Sequence, residues 1–327
     1  MKNMPITLLI SALCLALGLA VTAPAAQAKS RRFLAIAGGS VGGASFSMAG
    51  ALARSVRKPL RRENIRVSAE STEGQVSNAK LLGKGEYDLA LLQNVIAADA
   101  LKGSGPSFSQ AIKNLTAVCA LAPLTVQVIA RNDAGVKSIS DLKGKKVLVG
   151  SLGSGVSQNA EHILSAWGLK LQDLSAAGRV RAAQAATYLK AGRFAAGFFA
   201  LRLGHPLISN LAAQVPLTPI AVEGPQADKL LSTRPGYEKA FIPPGTYKGV
   251  PKGTATVSVM TLLTARAQLE EAVVQKVLTA LFANLVPLSR YHPGLDYLSL
   301  QKALLGINVP LHPGAAKFFE AKGVKTK

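Results

Sequence analysis

Short apolar segments alternate with helical segments along this chain, and this alternation is the feature that most limits its fold. Residues 33–37, 65–69 and 87–93 have the length and composition of buried strands. The first two are followed by segments of helical periodicity, residues 44–58 and 75–83. A strand, a crossover helix and a second strand in regular order favour a parallel sheet. The sequence therefore predicts an α/β protein.

The same alternation continues in a second unit. Residues 115–122 and 125–130 are strand-like and predict a segment that crosses between the two units. Further on, residues 146–149 and 195–199 read as strands, and residues 156–167 have the pattern of a helix between them. With about 300 residues after a short leader, the chain is long enough for two such units.

These patterns predict a two-lobed organisation. Lobe I is expected to combine residues 29–122 with residues 258–327, because the C-terminal stretch is expected to return to the first unit. Lobe II is expected to span residues 123–257. The chain would cross between lobes near residues 122–125 and 245–257, which predicts a two-stranded hinge.

The first 28 residues predict a cleaved secretory signal peptide. Lys2 precedes an apolar run over residues 6–21, and Ala26-Gln27-Ala28 forms a small-x-small cleavage site before Lys29. An uncleaved membrane anchor is the alternative, because the run is near the lower limit for a membrane span. The small residues before Lys29 favour cleavage, so the mature chain is predicted to be periplasmic.

The chain is strongly basic, with 38 Lys and Arg against 17 Asp and Glu and a formal net charge of +21. Such a charge attracts anions and anionic surfaces. Nucleic acid is not the predicted partner, because the cations are scattered and aromatic side chains are not interleaved with them. The densest group is interpreted as the solvated outer face of one helix: Arg54, Arg57, Lys58, Arg61 and Arg62.

Neither a catalytic centre nor a metal site nor a cofactor is predicted. The histidines are far apart in the sequence and form no metal-binding or triad pattern: His162, His205, His292 and His312. Once Cys14 has left with the leader, Cys119 stands alone in an apolar run and predicts a buried thiol without a disulfide. Glu70 and Glu73 are expected in a solvated loop.

Two loops rich in Gly and Ser, residues 38–43 and 150–155, each follow a predicted strand and open a predicted helix. The first amides of a helix are unpaired and carry partial positive charge, so such loops bind carboxylates or phosphates. One loop from each unit suggests one ligand held between the lobes. Ordinary tight turns remain the structural alternative. Nucleotide binding is disfavoured, because neither loop has dinucleotide spacing or a P-loop ending.

In order and spacing, several segments resemble the TAXI family of solute-binding proteins from TRAP transporters. The segments are residues 36–43 (IAGGSVGG), 71–78 (STEGQVSN), 85–93 (GEYDLALLQ), 135–145 (GVKSISDLKGK), 153–155 with 159–161, and 310–315 (PLHPGA). The resemblance spans residues 33–324, nearly all of the mature chain. It implies a two-lobed, type-II-like periplasmic binding protein fold that closes on a small anionic solute such as glutamate or another carboxylate.

The resemblance also implies the ligand-binding residues and the partner. The ligand-binding positions would be Gly39, Ser40, Val41, Thr72, Glu73, Gln93, Ser151, Ser154, Gly155, Val156 and Phe199. The loaded protein, expected to be a monomer, would dock on a TRAP-type membrane permease. A periplasmic receptor that presents the bound ligand to a membrane signalling partner is the alternative function. A periplasmic enzyme is the third class, but it would need a clustered acid–base set that the sequence does not show.

Overall fold

The computed structural model describes residues 31–41 and 43–326. The predicted signal peptide, with its apolar run and its cleavage site, lies outside the described residues. From Arg32 onward the chain forms one compact unit. Within the described ranges, no helix is both long enough and apolar enough to cross a membrane.

All ten strands of the described chain belong to one sheet. Their order is β2-β1-β3-β10-β4-β7-β5-β6, with β8 paired to β4 and β9 paired to β10. The strands are β1 (Arg32–Gly39), β2 (Ile65–Ser71), β3 (Leu89–Gln93), β4 (Leu115–Arg131), β5 (Lys146–Leu148), β6 (Ala176–Gly178), β7 (Ala196–Leu201), β8 (Leu217–Ile220), β9 (Glu238–Ile242) and β10 (Thr254–Arg266).

Helices connect and cover the strands on the pattern that the sequence predicts. The α-helices of the described chain are α1 (Ala44–Arg62), α2 (Gln75–Lys84), α3 (Asn94–Lys102), α4 (Gly155–Ala166), α5 (Ala182–Lys190), α6 (Pro206–Ala212), α7 (Pro225–Thr233), α8 (Glu271–Phe282), α9 (Leu285–Tyr291) and α10 (Pro313–Ala321). Below, the first half means β1–β3 with α1–α3 and α8–α10, and the second half means β5–β8 with α4–α7.

Each half contains parallel strands, as the alternation predicts. In the first half β1 pairs in parallel with both β2 and β3. In the second half β5 pairs in parallel with both β6 and β7. Parallel neighbours need a crossover connection, and the helix that follows each strand supplies it. The mixed α/β class is therefore confirmed.

Two long antiparallel strands, β4 and β10, join the halves. β10 pairs with β3 through residues 261–265 and with β4 along almost its whole length, and β4 pairs with β7 through residues 125–130. The sequence predicts separate strand segments on either side of Pro123, whereas the structure has one continuous strand of 17 residues. Pro123 is exposed and opposite Met260, and the pairing continues past it, with register shifts at residues 261–262 and 263–264.

Helix α1 illustrates how the apolar pattern of a segment determines where it packs. Met48, Leu52, Val56 and Leu60 recur every four residues, so they form one apolar stripe along the helix. All four side chains are buried in the same cluster as residues of α8 and α10. The C-terminal segment therefore packs on the first half.

A second apolar cluster continues from α2 and α3 through the central strands to α4. The lobe boundaries at residues 122 and 257 remain a prediction.

Candidate functional site

Five helices of the described chain begin at one cavity of about 110 Å³. The residues that precede their first turns all line it: Gly43 for α1, Gly74 for α2, Gln93 for α3, Ser154 for α4 and Arg181 for α5. Three of these helices belong to the first half and two to the second. The cavity therefore lies between the halves.

The topology explains why so many helix starts meet there. Helices α1, α2 and α3 follow β1, β2 and β3, which are parallel, so their first turns emerge at the same edge of the sheet. Helices α4 and α5 follow β5 and β6 in the same way. Ligands of open α/β sheets bind at this carboxyl edge.

The first-turn amides of these helices give the cavity a positive character, although two of them are already paired: the Val76 amide donates to the Gly153 carbonyl and the Val95 amide to the Asn94 side chain. The first turn of α1, α2, α3 or α5 receives no side-chain capping bond from its N-cap residue. At α4, the Ser154 hydroxyl accepts a hydrogen bond from the Ser157 amide at 3.1 Å. Because each helix start carries partial positive charge, their convergence favours an anionic group in the cavity.

Gln75 organises the polar wall of the first half. Its Nε2 donates to the Ser45 hydroxyl at 2.9 Å, and its Oε1 accepts from the Gln93 amide at 2.8 Å. Gln75 and Gln93 are both buried, and Gln93 Oε1 has no hydrogen-bond partner in the described part of the chain. Gln93 therefore brings an unsatisfied acceptor to the cavity wall, where a donor group of a ligand would pair with it.

The two halves touch beside the cavity through glycines. The Val76 amide of α2 donates to the Gly153 carbonyl of the second half at 3.0 Å. A Cβ at Gly155 would lie 2.6 Å from Cδ of Gln93, and one at Gly74 would lie 2.6 Å from the Gly153 oxygen. Gly74 also has a φ of +153°, which only glycine adopts readily. The close approach of the halves therefore depends on these small residues.

The charged and apolar groups of the cavity come from both halves. Glu73 of the first half and Arg181 of the second half line it, and both are exposed. Phe46, Phe198 and Phe199 supply aromatic surface, and the two phenylalanines of β7 are almost completely buried. The cavity thus combines amide donors, one guanidinium, one carboxylate and apolar walls.

Most of the predicted site residues lie at this cavity. Its lining includes Gly39, Ser40, Glu73, Gln93, Ser151, Ser154, Gly155, Val156 and Phe199. Val41 does not line it and is 56% exposed. Thr72 also lies outside the lining, where its hydroxyl donates to Asn78 and its amide donates to the Gly39 carbonyl. The structure therefore places Thr72 as a support of the loop rather than a wall of the cavity.

Sequence reasoning missed other residues of the lining. Gln75 follows Gly74 at the start of α2, and Arg181 stands before α5. Both residues stand at the start of a helix, as the two glycine loops do. Neither carries a run of glycines, so no local motif marks it.

A second cavity of about 640 Å³ adjoins the first, with Ser45 and Leu124 in the lining of both. His205 of the second half and His292 of the first half line it, close to Arg202. Burial lowers the pKa of His205, and Arg202 lowers it further. The pKa of His292 is lowered by burial first, then by His205 and by Arg202, against a smaller opposing effect of Asp296.

A buried polar network connects the halves away from the first cavity. Asp99 of α3 accepts from Nη1 of Arg234 at 2.8 Å, and its other oxygen lies 3.0 Å from Nε2 of His162 on α4. Nδ1 of His162 is 3.1 Å from the Tyr237 hydroxyl, which donates to Asn159 at 2.8 Å. Burial raises the pKa of Tyr237 well above its ordinary value.

Within residues 31–41 and 43–326, no group of three His, Cys, Asp or Glu side chains is arranged to hold a metal ion. His312 instead has a structural position: it is buried, its Nδ1 accepts from the Gly314 amide at 3.1 Å and its Nε2 is 2.9 Å from the Leu269 carbonyl oxygen. It therefore caps α10 and ties it to the segment before α8.

Solved structures of binding proteins share this fold. PhnD1 from Prochlorococcus marinus in complex with methylphosphonate is 11% identical, with a TM-score of 0.56 over 90% of this chain and 98% of that one. The periplasmic binding protein BugD is 14% identical, with a TM-score of 0.53 over 91% and 100%. A binding protein component of an ABC phosphonate transporter from Pseudomonas aeruginosa is 10% identical, with a TM-score of 0.50 over 81% and 80%. The two-lobed, type-II-like fold is thereby confirmed.

The family assignment needs a correction. The family model that matches this chain, over residues 36–323, is that of the NMT1-like family. The resemblance to the TAXI family of TRAP transporters was therefore wrong, and the expectations of a TRAP-type permease and a glutamate-like ligand fall with it. Its short motifs, such as residues 36–43 and 153–155, lie at strand-to-helix turns where Gly39 and Gly153 have positive φ, so turn geometry by itself favours glycine there. The chain belongs to the NMT1-like family.

Proposed function

We propose that this protein is a periplasmic solute-binding protein that captures a small organic anion and delivers it to an ABC-type membrane transporter. One observation carries the proposal: five helix starts from two halves of the fold open onto one cavity. A bound anion would accept hydrogen bonds from several of these amides at once, and a neutral solute would leave them without partners.

The chemistry of the cavity favours a compact oxyanion such as a phosphonate. A phosphonate or sulfonate group has three acceptor oxygens, which suit amide donors that arrive from several directions. The guanidinium of Arg181 adds a formal positive charge from the second half. A volume of about 110 Å³ limits the part of the solute enclosed there to a few heavy atoms. The methylphosphonate bound by PhnD1 is an anion of this size and type.

Individual roles follow from these positions. Amides at Gly39, Ser40 and Gly155 and the hydroxyl of Ser154 would hold the anionic group, with Arg181 as its counter-charge. Phe199 would contact the apolar part of the solute. The predicted lobes would close around the solute by bending at β4 and β10, as in hinge closure of other two-domain binding proteins. Binding and release, rather than turnover, is the proposed activity.

A thermal-shift screen of the purified protein would test this function. We expect methylphosphonate or another small phosphonate or sulfonate to raise the melting temperature, because a ligand that binds only the folded state stabilises it by mass action. Glutamate serves as the comparison solute. If no organic anion at a concentration of about a millimolar raises the melting temperature, the proposal is wrong.

A matched pair of variants would locate the site. We expect Arg181→Gln to weaken binding of the best phosphonate or sulfonate by about tenfold or more, because a charge-assisted hydrogen bond is lost. Arg193→Gln is the control, since Arg193 is exposed, contacts Tyr188 and does not line the cavity. Calorimetry that gives equal affinities for the two variants would remove Arg181 from the site.

A further inference from the structure

The outer side of α1 carries a concentrated positive surface. Its exposed cations are Arg54, Arg57, Lys58, Arg61 and Arg62, and we call these five residues the α1 basic face. No ion pair in the described part of the chain involves any of them. Glu63, at the C-terminal end of the helix, is 2.8 Å from Lys276. The α1 basic face is therefore a set of cations that no ion pair among residues 31–41 and 43–326 neutralises.

Three of these cations surround a groove of about 390 Å³. Arg54, Lys58 and Arg62 are spaced by four residues, so they lie along one side of the helix. The groove is completed by Ser55, Pro59, Asn284 and Tyr291, and none of its lining residues in the described part of the chain is acidic. Like charges at this spacing repel one another, so an anion in the groove would relieve a repulsion already present.

Two details show that the groove is shaped rather than a chance cluster of mobile side chains. The Arg54 guanidinium lies 5.1 Å from the centre of the Tyr291 ring, which holds the cation in place. Ser55 is 7% exposed, and its hydroxyl has no hydrogen-bond partner in the described part of the chain. A buried hydroxyl without a partner at the wall of a cationic groove is a donor that an anionic oxygen would satisfy.

Apolar side chains accompany the charges. Helix α9 packs against α1, and it exposes 70% of Val286 and 44% of Tyr291 to solvent. Cations beside an exposed aromatic and an exposed aliphatic side chain are typical of surfaces that lie at the headgroup level of a bilayer. Nucleic-acid grooves instead use several aromatic side chains as stacking platforms, and Tyr291 is the aromatic residue of this lining.

We propose that the α1 basic face is a docking surface for a membrane rich in anionic lipid, with a lipid phosphate held in the groove by Arg54, Lys58 and Arg62. This inference goes beyond solute binding, because the surface lies away from the solute cavity. Gly43 is at the cavity and Lys58 is 15 residues further along the sequence, which corresponds to roughly 22 Å of helix. Docking through this surface leaves the cavity open beside the membrane.

Vesicle co-sedimentation would test the proposal with protein purified from the periplasm of a bacterial host. We expect binding to vesicles of phosphatidylcholine that contain about a third phosphatidylglycerol, and no binding to pure phosphatidylcholine. The binding should weaken steeply with added salt, because the attraction is screened within a Debye length. Equal binding to both kinds of vesicle, or none to either, would overturn the proposal.

Matched triple variants would separate this surface from general charge. Replacing Arg54, Lys58 and Arg62 with Gln should lower the vesicle partition coefficient roughly 100-fold, since each cation near an anionic surface contributes about a fivefold effect. The control replaces three exposed lysines that lie outside α1 with Gln: Lys137, Lys190 and Lys248. It removes the same charge and should lower the coefficient only slightly.

Two further measurements complete the test. Both triple variants should keep the wild-type melting temperature and the wild-type affinity for solute, so that loss of vesicle binding cannot come from unfolding or from the cavity. An equal loss of vesicle binding in the two variants would overturn the assignment to α1. So would a short DNA duplex that competes for the protein better than anionic vesicles do.

Discussion

Gly155 offers the sharpest test of how the two halves meet. It is the first residue of α4, and its backbone has an ordinary conformation, so alanine fits there without strain in φ. The obstacle to a methyl group is Gln93 of the opposite half. An ideal Cβ at Gly155 would be 2.6 Å from both Cδ and Nε2 of Gln93, which is too close for any carbon contact.

The size of the effect follows from what must move. Gln93 is 2% exposed and its backbone amide is bound to Gln75, so its side chain can yield only towards the cavity that it lines, where the solute would bind. Overpacking a buried contact by one methyl group costs about 1–3 kcal/mol. If the halves separate without solute and come together with it, this cost falls on the bound state. We therefore expect Gly155→Ala to raise the dissociation constant roughly 5- to 150-fold.

Isothermal titration calorimetry with the best phosphonate or sulfonate would measure this change, and thermal unfolding without solute would measure stability. Gly50→Ala is the matched control. Gly50 is also a helical glycine, and a Cβ there would meet no heavy atom within 4 Å. It should leave the affinity unchanged and stabilise the protein by about 0.5–1 kcal/mol, because alanine loses less conformational entropy in a helix.

Two results would refute the reasoning. An affinity of Gly155→Ala within a factor of about two of wild type would show that the contact with Gln93 is not needed for solute binding. A large fall in the melting temperature of the solute-free protein would show that the contact belongs to the folded state as such. In the second case the halves would stay together whether or not solute is bound.

The remaining predictions concern buried groups. Asp99→Asn should destabilise the protein by about 3 kcal/mol in urea unfolding, because it leaves the Arg234 guanidinium without its buried carboxylate partner. Asp228→Asn, at an exposed pair with a lysine, should change stability by less than about 0.5 kcal/mol. Equal effects would contradict the assignment. The Cys119 thiol is fully buried and its pKa is raised to about 12, so Ellman's reagent should label it only after denaturation, and labelling of the native protein would count against its position. Burial lowers the pKa values of His205 and His292, so near these pKa values the unfolded chain binds more protons than the folded one. The contribution of the two histidines to stability is therefore complete above the unfolded pKa of about 6.5 and is lost as pH falls below it. The melting temperature should therefore fall less between about pH 7.5 and about pH 5 in the His205→Gln, His292→Gln double variant than in wild type, and an equal fall would contradict this account.

The elements that the sequence predicts well are those with a complete local signal. Helix α1 has an apolar residue every fourth position, and β1 is a short apolar run that ends in glycine. The sequence does not predict the strand β6 or the helix α7. Strand β6 is three small residues, and α7 is a short segment that begins with proline, so neither has a clear hydrophobic periodicity. Pro123 misled the reading of β4, since proline normally ends a strand but is tolerated where it is exposed and its missing donor is not required.

The candidate site was predictable only in part, for a related reason. Glycine loops before a helix are visible in the sequence, so the loops at residues 38–43 and 150–155 could be assigned to one cavity. The position of Arg181 depends on which strands are neighbours, and its own segment contains no motif. Val41 belongs to a predicted loop but is turned to solvent, because a loop can line a cavity with some of its residues only.

The place of β10 between β3 and β4 constrains how the molecule is made. β10 ends at Arg266, yet it pairs with strands that begin at Leu89 and Leu115. A nascent chain that stops before Thr254 therefore exposes the unsatisfied edges of both strands, and the sheet of the first half can be completed only late in synthesis. Pairings of such large sequence separation form slowly. The topology itself thus delays folding and leaves two open strand edges, at which chains tend to aggregate, until late in synthesis.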